Sequence, residues 1–263
     1  MREQMRPANA ARAIGVASLI AAAIPGAASA AIITFTNEDL GVSGDSFPNA
    51  RAARDQFVAS LSGSARGNIE TFERVPLGSV GAPPQTLALT AIGAAGPITG
   101  QVRTAFFQNQ VSNAGGGGRF ATSGSQYLAA TQPFSLAFDQ PISAIGFFLT
   151  GLGDVGFDRL TLTLSGGTAA TLALPYTLDN AQDEARRVLF YGLTSTQSFS
   201  TVTFAFPSLA LDAYGLDDLI VADSGQLALL ATPVPEPRMG WLLGALAAAV
   251  MAFRTRSLAQ PNA

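Results

Sequence analysis

The chain has 263 residues, a formal net charge of −3, and neither histidine nor cysteine; all fifteen of its basic residues are arginine. That composition excludes imidazole bases, thiolate nucleophiles, Schiff-base and phosphate-loop lysines, and zinc sites built on imidazole or thiolate. Between residues 31 and 233 nine arginines face sixteen acids, a balance of about −7 that lacks the basic face nucleic acid requires, so nucleic acid is not an expected partner.

The N-terminus reads as an export leader. Arg2, Arg6 and Arg12 precede an apolar stretch over 13–24, Pro25-Gly26 breaks it, and Ala28-Ser29-Ala30 offers the small residues signal peptidase needs at Ala28 and Ala30. Residues 1–30 are therefore expected to be removed, leaving Ala31 first. With no cysteine, an N-terminal lipid anchor is excluded.

Residues 31–224 carry the pattern of an antiparallel β-sandwich. Leu160, Leu162 and Leu164 alternate with Arg159, Thr161 and Thr163, and Val202, Phe204 and Phe206 alternate with Thr201, Thr203 and Ala205; each set predicts a strand with one buried face. Similar runs at 32–36, 69–75, 86–91, 102–108, 134–138, 142–150, 169–174, 188–192 and 214–221, separated by Gly, Pro, Asn and Asp, predict about ten strands in two sheets, a jelly-roll arrangement. One helix interrupts them. It starts at Pro48-Asn49, repeats Ala53, Phe57 and Leu61 on one face, and ends by Gly63; packing across an open end or edge of the sandwich is expected. The glycine run 115–118 lacks a following lysine or helix, so it reads as a hairpin or surface loop.

A linker at 225–233 leads to a distinctive tail. Val234-Pro235-Glu236-Pro237 precedes an apolar run over 239–253, then Arg254 and Arg256, with 258–263 as a short cytoplasmic end. The prolines keep Glu236 out of any helix, the run can enter lipid as a helix of roughly 22 Å, and the arginines stop it at the cytoplasmic face. The arrangement over 234–257 resembles the PEP-CTERM sorting signal, which exosortase-type membrane enzymes process on exported proteins of Gram-negative bacteria that make extracellular polysaccharide. The resemblance implies that the tail holds the protein in the inner membrane transiently, and that a processing enzyme then releases it to the cell surface or exterior. Signal peptidase, an exosortase-type enzyme, the membrane and extracellular polysaccharide are the partners that follow.

Within the middle region Phe72-Glu73, the segment 138–147 (Phe-Asp-Gln-Pro-Ile-Ser-Ala-Ile-Gly-Phe) and Tyr214-Gly215-Leu216-Asp217-Asp218 resemble jelly-roll modules of PEP-CTERM proteins and, more distantly, carbohydrate-binding modules. In such modules a Phe-Glu near the start and an Asp-Asp strand near the finish frame a structural calcium ion. The resemblance spans about residues 50–223, and it implies calcium at Glu73, Asp217 and Asp218. First and last strands lying side by side would gather these acids, and an all-oxygen donor set suits calcium. Strand alternation would let only one aspartate face Glu73. The competing reading has one aspartate capping a loop and the other in solvent.

These observations lead to an exported, non-enzymatic surface or matrix protein. No catalytic residue is expected: the one tryptophan, Trp241, lies in the apolar tail, and Asp183-Glu184 beside Arg186-Arg187 reads as solvated charge. A glycan-binding module using exposed tyrosines is the alternative, favoured by an aromatic pair or a groove at one sandwich end. A glycan hydrolase, which would need facing carboxylates in a cleft, comes third.

Overall fold

The computed structural model describes residues 30–228 except 43–44, 64, 66–68, 81–84, 94–95, 105–107, 154–157, 179–185 and 208–211, with side chains left out over 81–95. The leader before residue 30, the sorting motif Val234–Pro237, the apolar run 239–253, Arg254, Arg256, Asp183 and Glu184 lie outside the described residues. Among the described residues no helix is long and apolar enough to cross a membrane.

The chain forms β1 (Ile32–Asp39), α1 (Pro48–Ala59), β2 (Ile69–Glu70), β3 (Gly78–Ser79), β4 (Gln85–Gly93), β5 (Gly96–Arg103), β6 (Gln110–Ser112), β7 (Tyr127–Ala130), β8 (Phe134–Thr150), β9 (Thr161–Ser165), β10 (Ala170–Ala173), β11 (Val188–Ala205) and β12 (Tyr214–Ala222). Every strand pairing is antiparallel. The expected strands at 134–138 and 142–150 are one strand, β8, and those at 188–192 and 202–206 are one strand, β11. These two long strands build the sandwich. Their first mutual register, Val188↔Thr150 to Thr194↔Ala144, breaks at Phe199↔Ile142 and resumes as Thr201↔Ala137 to Phe204↔Phe134. The irregularity lets one ribbon serve two layers.

In the first layer β11 pairs with β1 on one side and β8 on the other, and β8 pairs with β12, which also carries β2 and β7. In the second layer the far halves of β11 and β8 pair with β9 and β5, which carry β10 and β4. The layers face each other across an apolar core. Phe147 of the first meets Phe204 of the second at 5.2 Å between ring centroids, and Phe134 stacks on Phe204 at 4.7 Å. Leu160, Leu162, Leu164, Val202 and Phe204 are all buried, as their alternation predicts.

Sequence expectation and structure part at the helix. α1 lies flat on the outer face of the first layer, not across an open end or edge: Phe57 sits over Gly146 and Gly192 and against Phe35 and Phe190. The cause is visible in the strands, because Ala144, Phe148, Val188, Phe190 and Ile220 form a second apolar face that water would otherwise meet. Consequently β12 and the first halves of β11 and the last half of β8 are buried on both sides. The helix N-terminus has no side-chain cap of its own. Instead Asp39, at the end of β1, accepts the amides of Ala50 at 2.8 Å and Asn49 at 3.3 Å, a carboxylate at the positive end of the helix dipole. The helix stops at Ala59, and Leu61 pairs with Leu227, so the residue stays buried without being helical.

Ordered contacts continue past residue 224: Ser62 N–H donates to the Gln226 carbonyl and Ala228 N–H to that of Ser60. Residues 225–228 thus belong to the domain rather than to the expected linker. Of the expected strand at 69–75 only Ile69 and Glu70 pair, and of the expected 102–108 strand Val102 and Arg103 end β5, while β6 begins only at Gln110. At the glycine run, Gly116 and Arg119 exchange backbone hydrogen bonds around a tight turn, consistent with a surface loop.

Candidate functional site

The acidic residues singled out in the sequence converge on one loop, residues 120–126, between β6 and β7. β2 does lie beside β12, through Leu219↔Glu70 and Ile220↔Ile69. The register of β12 against β8 slips by one residue between Asp217↔Phe148 and Ile220↔Gly146, and Asp218 takes a left-handed backbone with φ 50°. This bulge overturns the expected alternation. Both aspartates point to the same side, and both are buried, at 1% and 5% exposure.

Asp217 Oδ2 accepts the Thr122 amide at 2.7 Å, the Thr122 hydroxyl at 3.0 Å and the Ser123 amide at 3.1 Å. Asp218 accepts the same Thr122 hydroxyl at 3.0 Å and the Ser123 hydroxyl at close range. Glu73 grips the next turn, with Oε1 accepting the amides of Ser125 and Gln126, each at 2.6 Å, and Oε2 the Ser125 hydroxyl at 3.0 Å. Gly124 is required there: its φ is 63°, and a Cβ would lie 2.5 Å from Glu73 Oε1. Glu70, which sequence reasoning passed over, accepts the Phe72 amide at 2.7 Å and supports Phe72 at φ 61°.

Electrostatics divide the three acids. Burial raises the proton affinity of Asp217, and the neighbouring Asp218 charge raises it further, against the amide donors of Ser123, Asp218 and Thr122. Burial likewise raises Asp218, opposed by the Ser123 and Thr122 hydroxyls and the charges of Arg54 and Arg51. Glu73, exposed, moves the other way, because the amides of Ser125 and Gln126 favour its ionised form. Among the described residues no three His, Cys, Asp or Glu side chains converge as a metal site would require. The doublet nevertheless presents the right kind of atoms for calcium, two carboxylates and two hydroxyls. Glu73 serves a neighbouring part of the same loop.

A second feature was not foreseen from sequence. A groove of ≈710 Å³ opens at one end of the sandwich, lined by Glu38, Arg159, Pro175, Tyr176, Thr177 and neighbours. Its wall is held rigidly. Glu38 accepts the Thr177 hydroxyl at 2.8 Å and amide at 3.0 Å, Tyr176 Oη accepts the Leu160 amide at 2.9 Å, and Arg187 donates to the Thr177 carbonyl at 2.9 Å. Arg159 Nη1 donates to the carbonyls of Tyr176 and Leu174, and its guanidinium lies 5.5 Å from the centre of the Tyr176 ring. The expected exposed tyrosines are absent: Tyr127, Tyr176, Tyr191 and Tyr214 are each 2% exposed. Tyr176, Tyr191 and Tyr214 fill the core between two layers rich in phenylalanine, and Tyr127 is buried with its hydroxyl donating to the Ala114 carbonyl at 2.7 Å.

No family model matches the chain, and no curated protein matches it. Among solved structures the chain is similar to TmCBM61 in complex with β-1,4-galactotriose, with 14% identity over 46% of this chain and 86% of that chain and a TM-score of 0.23. With so loose a superposition, function has to be argued from the residues.

Proposed function

We propose that this chain is an exported, non-enzymatic protein of the cell surface or extracellular matrix, a jelly-roll β-sandwich held briefly by its C-terminal helix and released at the Pro235-Glu236-Pro237 motif. One observation supports this reading beyond the sequence. The start of β1 and the end of β12 lie in a single cross-strand row, Ile33↔Thr194, Thr194↔Ala144 and Ala144↔Ala222. The start of β1 and the end of β12 therefore lie at the same end of the first layer, and the chain is described as far as Ala228, bonded to Ser60 just past α1; this suits a domain that folds outside while both flanking segments meet one membrane. The amide of Ala31, the expected first residue, donates to Thr196 Oγ1 at 3.0 Å.

Glu236→Ala is the test. The variant should remain in the inner membrane with its tail attached, while the unaltered protein is released and starts at Ala31 by mass spectrometry. Equal release of both would reduce the tail to a plain anchor, and a retained Met1 would remove export.

Calcium at Asp217 and Asp218 belongs to the same proposal, supported by hard oxygen donors on two buried, bulged positions. An ion bound only by the folded state stabilises it by roughly 2.7 kcal/mol at a hundred times its dissociation constant, several degrees in melting temperature. A melting curve indifferent to calcium and to chelator removes the ion from the proposal.

The alternative of a glycan-binding module is favoured by the groove at the sandwich end, and not by any aromatic platform, since the tyrosines are buried. A hydrolase gains nothing from the doublet, whose carboxylates face loop amides and hydroxyls rather than each other across a cleft.

A further inference from the structure

We propose that the groove lined by Glu38, Arg159, Pro175, Tyr176 and Thr177 binds a neutral saccharide chain, and that the fold carries it at the end of the sandwich opposite both chain exits. The proposal rests on the surface-protein reading only for its biological setting; the groove itself stands on geometry.

Position comes from the registers. The row that holds both chain exits passes through Thr194 and Ala144, whereas the opposite end of the same strands is the row Asp39↔Val188, Val188↔Thr150 and Thr150↔Gly215. Glu38 pairs with Leu189 next to that far row, and Glu38 holds Thr177. Arg187, adjoining Val188, donates to the Thr177 carbonyl, and its own carbonyl accepts the Gly151 amide. The groove is thus built on the far row. A β1 of eight residues separates the two ends by about 26 Å.

Ligand chemistry comes from charge and from what the wall already satisfies. The groove joins one guanidinium to one carboxylate, so its own charge is balanced. A polyol fits both, since its hydroxyls can donate to Glu38 and accept from Arg159 at once. Arg159 Nη1 serves two backbone carbonyls, which fixes the plane of the group and leaves its other N–H donors for a ligand. Glu38, with two donors from Thr177, keeps accepting capacity. A polyanion would meet Glu38 and a domain of about −7, and is disfavoured on both counts. The groove is shallow and open to solvent, a shape for a chain lying across it rather than a molecule enclosed, and the wall, pinned by Glu38, Arg159 and Arg187, needs little ordering on binding. Pro175 is exposed and offers a flat C–H surface to a sugar ring. Because the Tyr176 ring is covered, affinity per site should be modest, in the range of about 0.1–1 mM, which is about −4 to −5.5 kcal/mol.

Titrating the full-length chain in detergent with cellopentaose, mannopentaose and galactopentaose, with pentagalacturonate as the anionic counterpart, tests this. At least one neutral pentamer should bind in the stated range, at least about tenfold tighter than the uronate, a difference of about 1.4 kcal/mol. Glu38→Gln and Arg159→Gln should each weaken it about tenfold or more, while Gln101→Ala on β5 of the second layer leaves it unchanged. Arg159 also braces the wall, so melting curves accompany the variants, and Thr177→Val supplies a milder loss of one hydroxyl. No binding by any neutral pentamer, binding untouched by Glu38→Gln and Thr177→Val in folded protein, or tightest binding by the uronate overturns the proposal. Failure of release in the Glu236→Ala experiment would instead strike the surface-protein reading and leave the groove standing.

Discussion

Replacing Phe57 by alanine is expected to cost about 3–5 kcal/mol of folding stability, the largest effect of any single substitution considered for this chain. The side chain is fully buried and is the centre of the outer apolar cluster, 5.7 Å from the Phe35 ring and 5.8 Å from the Phe190 ring. No other part of α1 reaches as far into the sheet, so the cavity cannot collapse. For a domain of about 200 residues each kcal/mol is worth about 2–4 °C, so the melting temperature should fall by roughly 6–20 °C. A coupled variant makes the test sharper. A Cβ on Gly146 would lie 2.6 Å from Phe57 Cε1, and one on Gly192 2.8 Å from Phe57 Cδ2. Neither glycine has a positive φ, so what crowds alanine there is Phe57 first and Phe190 second, at 3.0 Å from either Cβ, and not the backbone. Gly146→Ala alone should cost about 1–3 kcal/mol by overpacking, yet clearly less in the Phe57→Ala background, where only the Phe190 ring still crowds the new methyl. Additive effects in the double-mutant cycle would mean that α1 does not seat on this face.

Asp217→Ala should cost roughly 3 kcal/mol, because the buried Thr122 amide and its neighbour at Ser123 lose their shared acceptor, at about 1–3 kcal/mol for an orphaned donor. Its pH dependence should carry a clear sign. Burial and the neighbouring Asp218 charge push Asp217 up to about 8, so the folded protein binds more protons than the unfolded chain from the ordinary carboxylate range up to that value. Stability measured in chelator should therefore fall as the pH rises from about 5 to 8. Glu73, lowered by the Ser125 and Gln126 amides, acts in the opposite sense only at acid pH, where its stabilising ionised form is lost. Asp217→Asn keeps an acceptor oxygen and has no proton to lose, so its urea midpoint should fall less steeply across that window, the remaining slope coming from Asp218 and Glu70, which burial also raises. A native protein whose midpoint changes with pH no more than that of Asp217→Asn would show that the doublet does not share buried charge in this way.

The sequence reached the strands through their period-two alternation. Leu160, Leu162 and Leu164 are inward because a pleated strand offers no other way to bury them. It reached α1 for the same kind of reason, since Ala53 and Phe57 recur at helical spacing and Pro48 suits a first turn. The resemblance to jelly-roll modules marked Glu73, Asp217 and Asp218 as belonging together, and β2 does pair with β12.

What it could not reach were relations with no local signature. A bulge is one residue of register slip against a distant partner, so nothing at Asp217 or Asp218 announces that both face one way. The bend that lets β8 and β11 serve both layers is likewise a property of their mutual pairing. The face that α1 covers is decided by Gly146 and Gly192, two absent side chains on different strands that together admit one ring. The groove depends on Glu38, Arg159 and Thr177, residues separated by up to 139 positions and chemically ordinary in sequence. Periodicity is written along one segment and is legible there. Register, close approach and the convergence of distant side chains are set by packing between segments, and only the folded chain fixes them.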